Sequence, residues 1–255
     1  MLVPDPSLEH VVFLPGFMCD ARLFAPQTDA LSSIDLPYSI DLMTQSATIR
    51  DIALDVLRAS PKRFALAGLS MGGIVAMEVM RLAPQRVSHL ALLNTTPYED
   101  RSSAQRRDHM QRVRNGEMTD ILRDELKPKY LSPSAAFENL LPLITKMGEG
   151  LGADVFVQQS LALMTRKSAM SSLASIACPA AIITGADDLI CPPSIHADMQ
   201  KLIDGSDLHI IENCGHLSTL EAPDKINHIL LEHWGLCRKA EIAGLAPKTP
   251  NTANI

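Results

Sequence analysis

The chain predicts an α/β fold, a mostly parallel open sheet of about six strands flanked by helices, with one inserted helical block. Three observations carry this reading. Short apolar runs alternate with helix-length segments from residue 10 to residue 96, and again from residue 180 to residue 234. Between Pro97 and about Ala177 the alternation stops, and the chain reads as consecutive helices with no strand candidate among them. Finally, the apolar run Phe64-Ala65-Leu66-Ala67 enters Gly68-Leu69-Ser70-Met71-Gly72, and a helical pattern follows at once. That order is strand, tight serine-bearing turn, helix.

The elements follow in order. His10-Val11-Val12-Phe13-Leu14 is continuously apolar and closes on Pro15-Gly16, the pattern of a buried strand and its turn. Tyr38 to Leu42 is a weaker strand. Ser46 or Thr48 caps a helix over 49–59, in which Ile52, Val56 and Ala59 share a face and which Pro61 ends. A strand over 64–67 and a helix over 71–82 surround Ser70, and a fourth strand covers 87–93. The inserted block reads as helices over roughly 99–115, 117–127, 133–149 and 152–165, then a short turn to Ile176. Beyond it come a strand over 180–184, a helix over 193–202, a strand over 207–211 and a helix over 216–234. The organisation that results is a core of residues 1–96 and 178–237, a helical cap over 97–177, and a polar tail over 238–255. That tail lacks periodicity and is expected to be mobile or loosely docked.

Bulk properties narrow the function. A chain of 255 residues, 46% hydrophobic with mean hydropathy +0.08, can bury a real core as one large α/β domain or two small ones. Net charge is −6 with no sustained basic run, which argues against nucleic acid as a partner. The start, Met1-Leu2-Val3-Pro4-Asp5-Pro6, lacks the basic and apolar regions of a secretory signal. The most apolar stretch, 64–77, is short and broken by three glycines and a serine, so no membrane span is expected. A soluble cytoplasmic protein is the expectation. Five cysteines, Cys19, Cys178, Cys191, Cys214 and Cys237, form no C-x-x-C pair and read as free thiols in a reducing compartment. Cys19 and Cys214 have positions suited to a nucleophile or redox sensor, although a buried inert thiol is the commoner case.

The chemistry centres on Ser70. Glycines two before and two after it remove the Cβ atoms that would collide in so sharp a turn. A serine hydroxyl attacks a carbonyl at neutral pH only beside a base, and that base needs an orienting acid. Candidates for both follow later strands: Asp187-Asp188 in Gly185-Ala186-Asp187-Asp188-Leu189-Ile190-Cys191-Pro192, and His216 in Asn213-Cys214-Gly215-His216. Carboxyl ends of parallel strands share one edge of the sheet, so Ser70, one of the aspartates and His216 can converge there. Their chain order, Ser then Asp then His, suits this architecture.

These three motifs resemble the signatures of the α/β-hydrolase superfamily, in its serine esterase and lactonase-like branch, over Val11 to about Trp234. The resemblance makes Ser70 the nucleophile, His216 the base and Asp188 the acid, with Gly185 and Pro192 marking the acid's motif and Asp187 as runner-up. It makes the 97–177 block the family's variable helical lid. It also implies an oxyanion hole from the backbone N–H groups of Met71 and Phe17, each such donor supplying typically about 3–4 kcal/mol. Two departures stand out. Pro15-Gly16 replaces the family's usual His-Gly, and with nine residues before His10 the usual leading antiparallel strands are expected to be missing, so that an all-parallel sheet is expected.

Other residues receive plainer readings. Asp187 alone suits a turn or cap. His196, His209, His228 and His233 read as solvated or helix-face residues, and His228 and His233 are five apart, off the spacing of a helical metal pair. No metal or cofactor is expected. Met110, Met118, Met147, Met164 and Met170 in the block read first as core filling, with Met164 and Leu161 as candidate lining of an acyl pocket over Ser70. Arg101, Arg106, Arg107, Arg112 and Arg114 read as a solvated face, because acids are interleaved.

The activity implied is hydrolysis of a small carboxylic ester through an acyl-enzyme. A lactonase or enol-lactonase, a C–C bond hydrolase and a perhydrolase would use the same constellation, whereas a dehalogenase or epoxide hydrolase would need an aspartate at position 70. An aromatic content of 4% favours a small or aliphatic acyl group. From a different class, a ligand-binding protein could retain the fold without catalysis. If neutral His216 is the base, the rate falls below about pH 6–7, where an ordinary imidazole protonates.

Overall fold

Val11–Leu14 (β1), Tyr38–Ile40 (β2), Phe64–Leu69 (β3), Val87–Leu93 (β4), Ala180–Gly185 (β5) and Asp207–Ile211 (β6) form one sheet in the order β2-β1-β3-β4-β5-β6. Every neighbouring pair is parallel, as the alternating sequence pattern requires. The computed structural model describes residues 8, 10–44, 46–133 and 137–244; the expectations for Met1–Pro6 and for 245–255 lie outside them.

Helices fill the connections. They are Ala25–Ser32 (α1), Ile49–Ala59 (α2), Met71–Leu82 (α3), Ser103–Arg114 (α4), Met118–Asp120 (α5), Phe137–Leu151 (α6), Ala153–Met164 (α7), Met170–Leu173 (α8), Pro193–Leu202 (α9), Ser218–Glu221 (α10), Pro223–His233 (α11) and Cys237–Ile242 (α12). Strand side chains alternate between faces, and the core divides accordingly. Val12, Leu14, Leu66, Leu92 and Ile182 pack with Ile52 and Val56 of α2, Val75 and Val79 of α3 and Met199 of α9. Val11, Phe13, Ala67, Leu93 and Ile183 pack on the opposite side with Leu23, Phe24, Leu31, Ile226 and Trp234. Burial on both faces is why these strands read as unbroken apolar runs.

Several sequence boundaries shift for identifiable reasons. Thr48, not Ser46, caps α2, its Oγ1 accepting from Asp51 N at 3.1 Å, and the buried face ends at Val56 because Ala59 is exposed. The helix α1, with a 3-10 turn before it, is absent from the sequence expectation. Its Pro26 reads as a breaker, yet falls in the first turn, where a missing N–H costs nothing. The expected 117–127 helix becomes α5, a π-helical stretch Ile121–Leu126 and a 3-10 turn Lys127–Tyr130 containing Pro128. The expected 216–234 helix starts at Ser218 and breaks at Ala222, ahead of Pro223. His216 is thereby left on a loop. The tail is not wholly loose, since α12 docks through buried Leu236 and Ala240.

Candidate active site

Among the described residues, five of the six non-glycine residues with positive φ lie at the carboxyl edge of the sheet, Asp35 ahead of β2 being the sixth. Met18, Met43, Ser70, Asn94 and Asn213 all take positive φ just beyond β1, β2, β3, β4 and β6. Such strain persists only where surroundings over-determine it, and it gathers at functional sites. Ser70 sits at φ 56° between β3 and α3. A Cβ on Gly68 would overlap the carbonyl of Gly72, and one on Gly72 would overlap the carbonyl of Leu14. The two glycines therefore serve two contacts: the first closes the serine turn, the second lets α3 start against the end of β1.

Three predicted side chains meet there in a hydrogen-bonded chain. His216 Nε2 lies 2.8 Å from Ser70 Oγ, and His216 Nδ1 lies 2.8 and 3.0 Å from Asp188 Oδ2 and Oδ1. His216 is 1% and Asp188 2% exposed, while Ser70 is only part-buried. Burial alone would raise the Asp188 carboxyl. The adjacent His216, the Cys191 N–H and the Asn94 amide outweigh it and hold the group below the ordinary carboxylate range. Asp188 Oδ1 accepts from Ile190 N and Cys191 N, both at 2.9 Å, and Oδ2 accepts from Asn94 Nδ2 at 3.0 Å. Asp187 turns elsewhere, accepting from Ser132 Oγ at 2.6 Å. The His216 loop is fixed by Glu221, whose carboxylate accepts from Gly215 N and Leu217 N on either side of it, and from Ser132 N. His216 N itself donates to Tyr130 O at 2.9 Å.

The two predicted oxyanion donors lie close by. Met71 opens α3, so its N–H is among those with no partner inside the helix. Phe17 lies in the turn after β1, closed by Cys19 N donating to Gly16 O at 3.1 Å, and a Cβ on Gly16 would stand 3.3 Å from Ser70 Cβ. The inserted block reaches this turn. Gln159 Oε1 of α7 accepts from Met18 N at 3.0 Å, the Phe156 ring lies 5.1 Å from that of Phe17, and Arg106 stands 5.6 Å over Phe17. Arg106 therefore departs from the solvated arginine face. Together with Arg166 it pairs with buried Asp100.

Other sequence candidates separate here. The face of α7 turned inward carries Phe156, Gln159, Ser160 and Leu163. Leu161 lies opposite them, 36% exposed, and Met164 sits on the flank, part-buried. A cavity of about 680 Å³ beside α3 is lined by Ile74, Met77, Arg81, Tyr98 and Lys167 among others, but not by Ser70 or His216. The cysteines are held as thiols: burial raises Cys19 and Cys191, and takes Cys178 to about 11 and Cys214 to about 12. Among the described residues, no group of three or more His, Cys, Asp or Glu is arranged to hold a metal ion, and no helix is long and apolar enough to cross a membrane.

His196 and His233 are not solvated. His196 is fully buried, its Nε2 accepting from Thr95 N at 3.0 Å and its Nδ1 facing Pro192 O at 3.3 Å, while Thr95 Oγ1 donates to Ser70 O at 2.7 Å. Burial pushes the imidazoles of His196 and His233 down to about 4. Between that value and an ordinary one near 6.5, the unfolded chain binds protons that the folded chain does not. Stability therefore rises with pH across this window and is lost on acidification, by on the order of 3 kcal/mol for His196 alone. His196→Gln keeps an acceptor for Thr95 N–H, and thermal melts from pH 4 to pH 7 should show a flatter dependence of Tm on pH than wild type.

Comparison with known proteins places the chain in a family. The model of the alpha/beta hydrolase family matches residues 11–229, and the chain belongs to that family. A Klebsiella pneumoniae protein that carries the name carbamate hydrolase RutD is 30% identical over 178 residues, which is 66% of this chain and 64% of that protein. The chain thus spans just under two thirds of that relative's length. Among solved structures, a thermophilic esterase from Thermogutta terrifontis superposes with a TM-score of 0.77 at 23% identity, covering 88% of each chain. The enol-lactonase from Burkholderia xenovorans superposes at 0.76 and 18% identity, covering 90% of this chain and 92% of its own. Both likenesses speak to the fold.

Sequence reasoning missed Asn94, Gln159, Glu221 and Lys127. Asn94 had a local signal, an Asn directly after a strand, where its tolerance of positive φ is useful. The other three had none, because their partners are tens to more than a hundred residues away or lie across a helix boundary that shifted.

Proposed function

We propose that this chain is a serine hydrolase that cleaves a small carboxylic ester through an acyl-enzyme. The observation that carries the reading is the 2.8 Å approach of His216 Nε2 to Ser70 Oγ, with Asp188 on the far ring nitrogen. Ser70 Oγ attacks the acyl carbon as His216 takes its proton. Asp188 keeps the remaining ring proton on Nδ1 and stabilises the imidazolium. The Phe17 and Met71 N–H groups receive the developing oxyanion. His216 then protonates the departing alcohol oxygen, and the ester bond breaks. In the second half, His216 removes a proton from water, which attacks the acyl carbon; the bond to Ser70 Oγ then breaks, His216 returns the proton to Ser70, and the acid leaves. Residues 97–177 act as a lid that also braces the site, through Gln159 and Tyr130.

The test is covalent. A fluorophosphonate probe should label wild-type protein at Ser70, and Ser70→Ala should abolish labelling and lower kcat on aryl esters by about 10⁵-fold or more. A panel of short-chain and medium-chain esters and lactones ranks the acyl groups. A folded wild type that neither labels nor hydrolyses any member would favour a binding protein of the same fold and overturn the reading.

A further inference from the structure

Lys127 is the least ordinary residue of the inserted block. It is 0% exposed, and its Nζ donates to Met18 O at 2.8 Å, with Phe17 O and Cys19 Sγ at 3.5 Å and the Tyr130 ring centroid at 5.0 Å. Among the described residues, no carboxylate lies within ion-pair distance of it. An amine stripped of water without a counter-ion is costly, and burial pushes the Lys127 ammonium below its ordinary range, with Cys19 and then Asp20 opposing the shift. Its hydrogen bonds fix backbone groups that an apolar side chain could not.

What those bonds specify is the turn that carries the Phe17 N–H. Met18 is held at φ 51°, unfavourable for a side chain with a Cβ. Both of its backbone polar groups are tied by the inserted block: its N–H by Gln159 Oε1, its carbonyl by Lys127 Nζ. Lys127 also begins the turn Lys127–Tyr130, whose Tyr130 carbonyl takes the His216 N–H and whose Tyr130 ring lies 5.3 Å from the imidazole. One short segment therefore touches both the oxyanion turn and the base.

We propose that Lys127, with Gln159, is a positioning residue that clamps Met18 and so aims the Phe17 N–H at the oxyanion formed on Ser70. This rests on the hydrolase reading above. A role of this kind acts on the tetrahedral state and leaves ground-state binding alone, which separates it from mere support of the fold.

The test uses Lys127→Met, which keeps length and volume and removes the donors. Per Ser70 titrated by fluorophosphonate, kcat should fall about 10- to 100-fold with KM within about threefold. Affinity for a trifluoromethyl ketone, whose carbonyl carbon bonds to Ser70 Oγ to give a tetrahedral oxyanion, should fall by the same factor as kcat/KM, read by ¹⁹F NMR. A kcat per labelled site equal to wild type, with only a lower labelled fraction or Tm, would overturn the proposal and assign Lys127 to folding. Should Lys127→Met not fold, Gln159→Met removes the other half of the clamp and must show the same split between kcat and KM. The hydrolase reading fails separately, if Ser70→Ala keeps its activity.

Discussion

Asp188→Asn is expected to lower kcat/KM about 10,000-fold, while Asp187→Asn lowers it by less than about tenfold. The asymmetry follows from where each carboxylate's lone pairs go. Asp188 Oδ1 faces two backbone donors, Ile190 N and Cys191 N, so an asparagine there must keep its carbonyl oxygen in that position. Its NH2 group is then turned toward His216 Nδ1, where Asp188 Oδ2 stood at 2.8 Å. An N–H facing Nδ1 forces the ring proton onto Nε2, which points a donor at Ser70 Oγ and leaves nothing to accept the serine proton. The same NH2 also confronts the Asn94 amide, a second donor. Asp187, by contrast, is exposed, and among the described residues its carboxylate accepts from Ser132 Oγ alone. Steady-state rates on an aryl ester, with melting temperatures to show that both variants fold, check the pair. An equal loss from both would mean that the acid's role is shared across the loop.

The sheet was legible in the sequence because parallel strands buried on both faces cannot hide. β1, β3, β4 and β5 each appear as an apolar run, and the strand-turn-helix around Ser70 needs no information from elsewhere in the chain. Ser70, His216 and the Asp187-Asp188 pair followed from topology, since each lies beyond a strand at the same edge, and the family resemblance chose Asp188 of the pair. What escaped depended on contacts distant in sequence. In Leu126-Lys127-Pro128-Lys129-Tyr130, nothing local separates buried Lys127 from Lys129; only the β1 turn, more than a hundred residues earlier, does. Arg106 sits in a charge-rich stretch that reads as solvated, and only folding reveals Phe17 beneath it. Glu221 falls within the expected 216–234 helix, but the helix starts only at Ser218 and breaks at Ala222, and Glu221 accepts from Gly215 N and Leu217 N ahead of it.

Gly72→Ala is expected to cost about 3 kcal/mol or more, lowering Tm by roughly 6–12 °C in a chain of this size, and to lower kcat of the remaining folded enzyme about 100-fold. The added methyl would overlap the carbonyl oxygen and carbon of Leu14. Neither neighbour can yield cheaply. Leu14 is fully buried and ends β1, which pairs with β2 on one side and β3 on the other, and Gly72 lies in the first turn of a helix packed under the sheet. Relief must separate the end of β1 from the start of α3. The proposed oxyanion donors lie on those two segments, Phe17 three residues beyond Leu14 and Met71 just before Gly72, so the separation that relieves the clash also opens the hole. Gly150→Ala supplies the contrast: it is helical, exposed, without positive φ, and a Cβ there meets nothing within 4 Å. That variant should be neutral or more stable by about 0.5–1 kcal/mol, because it removes only unfolded-state freedom. A Gly72→Ala protein with wild-type Tm and wild-type kcat would show that the close approach of β1 to α3 is not what sets the distance between the two donors.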